Sequence, residues 1–419
     1  MAQRLPVASC LIAAAIFISA CGGARESDTA STSTSSPAPA ATGEPDEEGP
    51  GTDLEQLAER IVRQSAGVTQ GEHVLITGGA QDQELLENIA VHVRRAGAFP
   101  LVTLSSDRMG KRLFHDVPAE LDTQRNTLWM KLAEHVDAVI TVVDNLEEGH
   151  LADAEPARVA ARANAAQPMV EAFLKRGVRQ VEVGNGLYPT EWRARRYGMD
   201  HADLKKTFWE GVNVDYSSLA ARAGEVSKVL AGGSEIHVTD PHGTDLKVRI
   251  QGRPVHSSDG VMSPEKAKKG GAAANVYLPA GEVYVTPVPG TAEGTIVRPS
   301  EYFEGQEIKD LRLTFAGGKL TSLTGSGPGF ERMKAMYDAA GPGKEMFAVV
   351  DFGINPNIKL PADSGTGNWV PAGTVSLGMG NNVWAGGDNR SPYGFFVSLP
   401  GSSVTLDGRP IVEKGQLKM

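Results

Sequence analysis

Few side chains in this sequence can do covalent or metal chemistry, and their positions narrow what that chemistry is. Its two cysteines, Cys10 and Cys21, both fall at the N-terminus. The rest of the chain therefore has no disulfide, no thiol nucleophile and no thiolate metal site. Cys21 closes the run Ile18-Ser19-Ala20-Cys21-Gly22. Small residues before a cysteine at that place resemble the bacterial lipobox, whose thiol is acylated before the leader is cut away. The histidines stop early, His237, His242 and His256 being the final three. Gly325-Ser326-Gly327-Pro328-Gly329 lacks the spacing of a G-x-S-x-G nucleophile elbow. Gly78-Gly79 has neither the full G-x-G-x-x-G spacing nor a P-loop lysine, so it reads as a tight turn.

The elements that hold these residues fall into four segments. Arg4 and the apolar run from Leu5 to Ala20 are too short for a membrane span and fit a secretory leader, residues 1–21. An ordinary leader with an incidental cysteine is the alternative. Residues 22–52, rich in Ser, Thr, Ala, Pro, Gly and acids, carry no apolar periodicity and read as a tether. Residues 53–232 alternate helical and strand patterns. Leu54, Leu57, Ala58, Ile61 and Val62 recur at helical spacing, as do Leu85, Leu86, Ile89, Ala90 and Val93. Strand patterns fall at 71–79, 99–104, 138–143 and 180–183. This alternation predicts an α/β domain with a largely parallel sheet. Residues 233–419 carry hairpin signals at 240–243, 316–319 and 407–408, and one helix at 330–340. They predict a mostly antiparallel β domain with a helix. The formal charge is −10. Acids of the tether account for part of it, but the folded portion is still acidic, which argues against nucleic acid as a partner.

From residue 53 to the C-terminus the chain resembles the thermophilic metallo-aminopeptidases, the family of the aminopeptidase T and aminopeptidase S types. The N-terminal half carries this in Gly71-Glu72-His73-Val74-Leu75-Ile76, Tyr188-Pro189-Thr190 and Tyr197-Gly198-Met199. Sharper motifs follow in the family's order: Gly243-Thr244-Asp245-Leu246, Leu278-Pro279-Ala280-Gly281-Glu282-Val283, Val350-Asp351-Phe352-Gly353-Ile354-Asn355-Pro356, and Gly373-Thr374-Val375 through Gly386-Gly387. The resemblance implies a peptidase scaffold with a two-metal site that activates a bridging water. It also implies a peptide as partner and a homodimer enclosing a cavity.

The metal ligands do not carry over intact. Glu282 matches the family's first ligand, and Asp351 stands where the family has glutamate. The next ligand, a histidine, is Ser376 here. A further histidine and aspartate are Gly394 and Phe396, and the family's catalytic tyrosine position is Val383. A hydroxyl, a glycine and a phenyl ring cannot replace two imidazoles and a carboxylate. Glu282 and Asp351 alone suit at most a weakly bound hard divalent cation, and no tight two-metal site is expected. Asp388, Asp363 and the three histidines named above are the candidates for a rebuilt site. Tyr393, Phe395 and Phe396 form an aromatic cluster that fits either core packing or an apolar floor at the old site. The expectation is an exported chain, lipid-anchored through Cys21 to the cytoplasmic or the outer membrane. Its peptidase chemistry is expected to be lost or strongly altered, leaving a binding or envelope module. An active aminopeptidase with a rebuilt site is the alternative.

Overall fold

A computed structural model describes residues 52–143, 145–361, 364 and 367–419. The leader, Cys21 and the tether as far as Gly51 lie outside the described residues, as does Asp363. No helix of the described residues is long and apolar enough to cross a membrane.

The chain enters through the helix Leu54–Arg60, where Asp53 caps the first turn by accepting the Gln56 N–H at 3.0 Å. A wide turn over Ile61–Ser65 extends it. Strands β1 (His73–Gly79), β2 (Phe99–Ser105), β3 (Ala138–Val142) and β4 (Arg179–Val183) then pair in parallel, in the order β2-β1-β3-β4. The apolar spacing expected of the second helix is met by Gln83–Arg95, which buries Leu85, Leu86, Ile89 and Val93. It lies close to β1 because Gly78 has no side chain: a Cβ there would stand 2.9 Å from Leu86. Gly78 and Gly79 therefore belong to the strand itself, and the expected tight turn is corrected. On the opposite face the helix Pro156–Arg176 packs Met169 and Phe173 against Leu75 and Val139.

Beyond residue 233 the pairing turns antiparallel. Strands β5 (Glu235–Thr239) and β6 (Asp245–Arg249) form the hairpin expected around Asp240–Gly243. Next come β7 (Val255–Ser258), β8 (Asn275–Leu278), β9 (Glu282–Val285), β10 (Glu293–Phe303), β11 (Gln306–Ala316), β12 (Lys319–Ser326), β13 (Phe347–Gly353), β14 (Val375–Gly380), β15 (Gly394–Leu399), β16 (Ser403–Leu406), β17 (Arg409–Glu413) and β18 (Gln416–Leu417). They build an eight-stranded sheet, β12-β11-β10-β6-β5-β16-β17-β18, and a five-stranded one, β15-β14-β13-β9-β7. The exception is β8, which pairs in parallel with β4 and completes the first sheet. The fold is thus α/β followed by antiparallel β, the two parts joined by a strand that crosses back. Two helices interrupt the strands where one was expected. Pro328–Ala339 lies close to its expected place. The six-residue Pro264–Lys269 is polar along its length, so no apolar spacing announces it; Ser263 caps it by accepting the Lys266 N–H at 3.2 Å.

Candidate functional site

The site is built on the five-stranded antiparallel sheet. Side chains alternate between its faces with a period of two. One face carries Val283, Val285, Val350, Phe352, Val375, Leu377 and Val397, all buried in the core. The other carries the chemistry. Across the strands His256 pairs with Tyr284, Tyr284 with Asp351, Asp351 with Ser376, and Ser376 with Ser398. Two residues along, Ser258 pairs with Glu282 and Glu282 with Gly353. On the far side Gly378 pairs with Phe396, and Gly380 with Gly394. Glu282, Asp351, Ser376, Gly394 and Phe396 are therefore together on one face of one sheet.

Each of the five has a definite environment. Glu282, 2% exposed, accepts a short hydrogen bond from Asn185 Nδ2. The same amide donates to the Pro279 carbonyl at 2.9 Å, and Trp369 Nε1 donates to Asn185 Oδ1 at 2.8 Å. Burial pushes the Glu282 carboxyl up to about 8, against the Asn185 hydrogen bond and with help from Glu182. Asp351, 3% exposed, keeps its Oδ1 without a hydrogen-bond partner. Burial first, then the nearby Glu282 charge, raise its pKa well above the usual carboxylate range. Ser376 is fully buried, and its Oγ lies 2.8 Å from Ser398 Oγ. Gly394 is exposed, and a Cβ on it would meet only the Met379 carbonyl, at 3.9 Å. Phe396 fills the space that Gly378 leaves, since a Cβ on Gly378 would stand 2.7 Å from its ring. That ring packs on Trp384 at 5.8 Å and Trp369 at 6.4 Å. Trp384 in turn lies 5.2 Å from Tyr284 and 6.3 Å from Tyr277. Phe396 thus belongs to an aromatic layer of its own, whereas Tyr393 and Phe395 face the main core.

Two contributors come from the parallel sheet, and sequence reasoning missed both. Glu182 sits on β4 opposite Tyr277 of β8. Burial pushes its carboxyl up to about 7. An acidic residue inside Gln180-Val181-Glu182-Val183 was the available signal. Asn185 stands at the carboxyl end of β4, with φ 44° in the turn Gly184-Asn185-Gly186. It reaches Glu282 across 97 residues of sequence. Ligand sites of open α/β sheets form at that same strand end.

The candidates for a rebuilt site are scattered. His237 pairs with Asp245 and His242 with Asp240, each at 2.7 Å on the exposed β5–β6 hairpin. Asp388 is exposed and lines a separate surface cleft with Arg253, Thr291 and Asn389. Of the three histidines only His256 reaches the site sheet, half-buried and stacked on Tyr284 at 5.9 Å. Burial lowers its pKa, which favours the neutral ring. Val383 packs on Val170 and Leu174 of the long helix.

These residues can be tested as a metal cradle. Among the described residues, no three His, Cys, Asp or Glu side chains come together in a way that could hold an ion. Glu282 and Asp351 are acids raised by burial, and the two serine hydroxyls satisfy each other. The orphaned acceptor Asp351 Oδ1 suits at most a single hard cation. The donor set does not fit a pair of tightly held Zn²⁺ or Co²⁺ ions, which ask for imidazole or several carboxylates.

The layered fold joins an α/β sheet to antiparallel sheets through a returning strand, and one antiparallel sheet carries a buried carboxylate pair. The sequence model of the thermophilic metalloprotease (M29) family matches residues 51–338, and the chain belongs to that family. Glu182 and Glu282 lie inside the matched region; Asp351, Ser376, Gly394 and Phe396 lie beyond it. Among solved structures, the chain is similar to wild-type AmpT from Thermus thermophilus. The identity is 19% and the TM-score 0.65, over 87% of this chain and 99% of that one. It is also similar to 2,5-dihydroxypyridine dioxygenase from Pseudomonas putida KT2440. There the identity is 16% and the TM-score 0.52, over 87% and 96%. At these identities the likeness is one of fold. No curated protein matches the chain.

Proposed function

We propose that this chain is a member of the M29 family in which two-metal peptidase chemistry is lost or strongly altered. In this reading it serves as a binding module of the bacterial envelope, held to a membrane by a lipid on Cys21. The observation that carries the proposal is the sheet face that gathers Glu282, Asp351, Ser376, Gly394 and Phe396, the positions that resemble the family's ligands. Three of the five hold a hydroxyl paired to another hydroxyl, a bare glycine, and a phenyl ring packed between two indoles. The remaining two are buried acids whose pKa values are pushed above the usual carboxylate range, Glu282 to about 8. A fold shared with a dioxygenase agrees with a scaffold whose chemistry is set by its site residues. To test the proposal, the protein is equilibrated with Zn²⁺, Co²⁺ or Mn²⁺, and its metal content is measured after gel filtration. The expected result is no stoichiometric retention. Two tightly held ions per chain would overturn the proposal.

One observation favours a second reading, an enzyme with a rebuilt site. Glu182 and Glu282 are raised to about 7 and about 8, values suited to proton transfer near neutral pH, beside an orphaned carboxylate oxygen. A panel of aminoacyl reporters and dipeptides, with divalent metals added, separates the two. Release of N-terminal residues that disappears in Glu282→Ala supports the enzyme. An inert wild type supports the binding module.

A further inference from the structure

The exposed apolar side chains are not spread evenly. Of the eleven large ones among the described residues, nine lie between Phe99 and Leu146. This concentration marks one flank of the first sheet, since scattered single exposures would need no explanation. Strand β2 is the edge of that sheet, with Leu104 61% and Phe99 52% exposed. Helix Asp107–His115 follows it and buries only Phe114, leaving Met109 and Leu113 exposed. Helix Thr127–Ala133 buries only Ala133; Leu128 is 66% exposed, with Trp129 and Met130 half-buried beside it. Between these helices and the helix Pro156–Arg176 lies an open cavity of about 410 Å³. Its lining includes Leu113, Leu121, Trp129 and Met169 together with Arg125 and the Asp122–Arg162 pair.

Three further features say what covers this flank. First, cations stand among the apolar groups: Arg108, Arg125 and Lys131 are exposed and make no ion pair among the described residues. Apolar side chains flanked by long cations are the pattern of surfaces that lie in a headgroup layer. Second, these three cations offer contacts to anionic headgroups, although the segment 99–146 as a whole carries seven Asp and Glu against five Lys and Arg. Third, the described chain begins here. Glu55, in the first turn of the chain's first helix, pairs with Arg95 at 2.5 Å and with His92 at 3.1 Å. Arg94 of the same helix lies over the Phe99 ring, 5.0 Å from its centroid. The N-terminal end of the described chain is therefore beside the first residue of β2.

We propose that this flank docks on the lipid bilayer to which Cys21 holds the chain, through Met109, Leu113, Leu128 and the apolar edge of β2. The inference rests on the anchor reading. As a flexible coil, residues 22–52 would reach roughly 30 Å, more than the radius of gyration of about 20 Å for a folded part of this size. The flank is therefore held near the surface at an effective concentration on the order of millimolar, and weak intrinsic affinity suffices. The open backbone edge of β2 sits at headgroup depth, where water and polar headgroups satisfy it; it does not enter the hydrocarbon.

The test uses the lipidated full-length product, extracted from membranes and reconstituted on vesicles of phosphatidylethanolamine and phosphatidylglycerol. Emission of Trp129 is read with brominated acyl chains as quenchers, and a Trp129→Phe variant supplies the background. Quenching in the wild type is expected. A Met109→Asp, Leu128→Asp variant is expected to keep its circular dichroism and its vesicle attachment. Its docked-to-undocked ratio should fall about a hundredfold, since two apolar contacts are lost. Attachment without quenching overturns the docking alone. Failure of the wild type to partition onto vesicles overturns the anchor and the docking together. Concentration-dependent cross-linking between copies through Leu128, in place of quenching, also overturns the proposal and assigns the flank to a second copy of the chain.

Discussion

Replacing Glu282 by glutamine asks whether the buried acids on the site sheet are neutral and dry or charged and compensated. The side chain keeps its shape and still accepts from Asn185 Nδ2, but it cannot ionise. In the wild type the carboxyl moves from an ordinary 4.5 to about 8 on folding. Across that interval the native state binds more protons than the unfolded state, so stability falls as pH rises. The slope approaches 1.4 kcal/mol per pH unit, and the loss by pH 9 is about 4 kcal/mol. This stability is fully present below pH 4.5 and lost as pH passes through 8. Glu282→Gln should therefore match the wild type near pH 5 and exceed it by about 3–4 kcal/mol at pH 9. Urea unfolding at pH 5, 7 and 9, with chelator present, measures this directly. A wild type that gains stability from pH 5 to pH 9, or a glutamine variant weaker than it at pH 9, would refute the reasoning. Either result would mean that the carboxylate is charged in the folded chain and compensated by its polar neighbours.

Gly353→Ala should cost about 3 kcal/mol or more in unfolding free energy, because a Cβ there would stand 2.2 Å from the Pro371 carbonyl and 2.4 Å from that of Trp369. Gly394→His, on the same face but in open space, should change stability by less than about 1 kcal/mol, and the pair of melts checks both. Asp122→Ala should cost about 3–5 kcal/mol, because it strands the buried guanidinium of Arg162 and that of Arg158, each 2.5 Å from the carboxylate. Urea midpoints read this, and an unchanged midpoint would show that the cluster contributes nothing. Cys21→Ser should abolish incorporation of a labelled fatty acid in cells; retained label would remove the anchor.

How much of this was legible in the residues depended on whether the signal was local. β1, the helix Gln83–Arg95 and the hairpin at Asp240–Gly243 follow from spacing within each segment, and they appear close to their expected bounds. The convergence of Ser376, Gly394 and Phe396 with the two acids depends on pairing between strands far apart in the chain. That Phe396 sits in an aromatic layer required knowing that Gly378 lies opposite it. Glu182 was harder still, because it comes from another sheet and joins the site only through β8. Helix Pro264–Lys269 has no apolar face to reveal it, and the pairing of short β8 with β4 has no local cause at all.

That returning strand has a consequence in time. A chain that emerges N-terminus first, from a ribosome or a translocation pore, presents β1 to β4 well before β8. At about 5–20 residues per second, roughly 5–20 s separate Val183 from Leu278. Through that interval the sheet has two unpaired edges, and β4 displays Gln180 and Glu182 without Asn275 and Tyr277 beside them. The first half therefore waits for the second, and long-range closure of this kind slows folding and leaves sticky edges open. Such a chain needs shelter while it is made, whatever it does once complete.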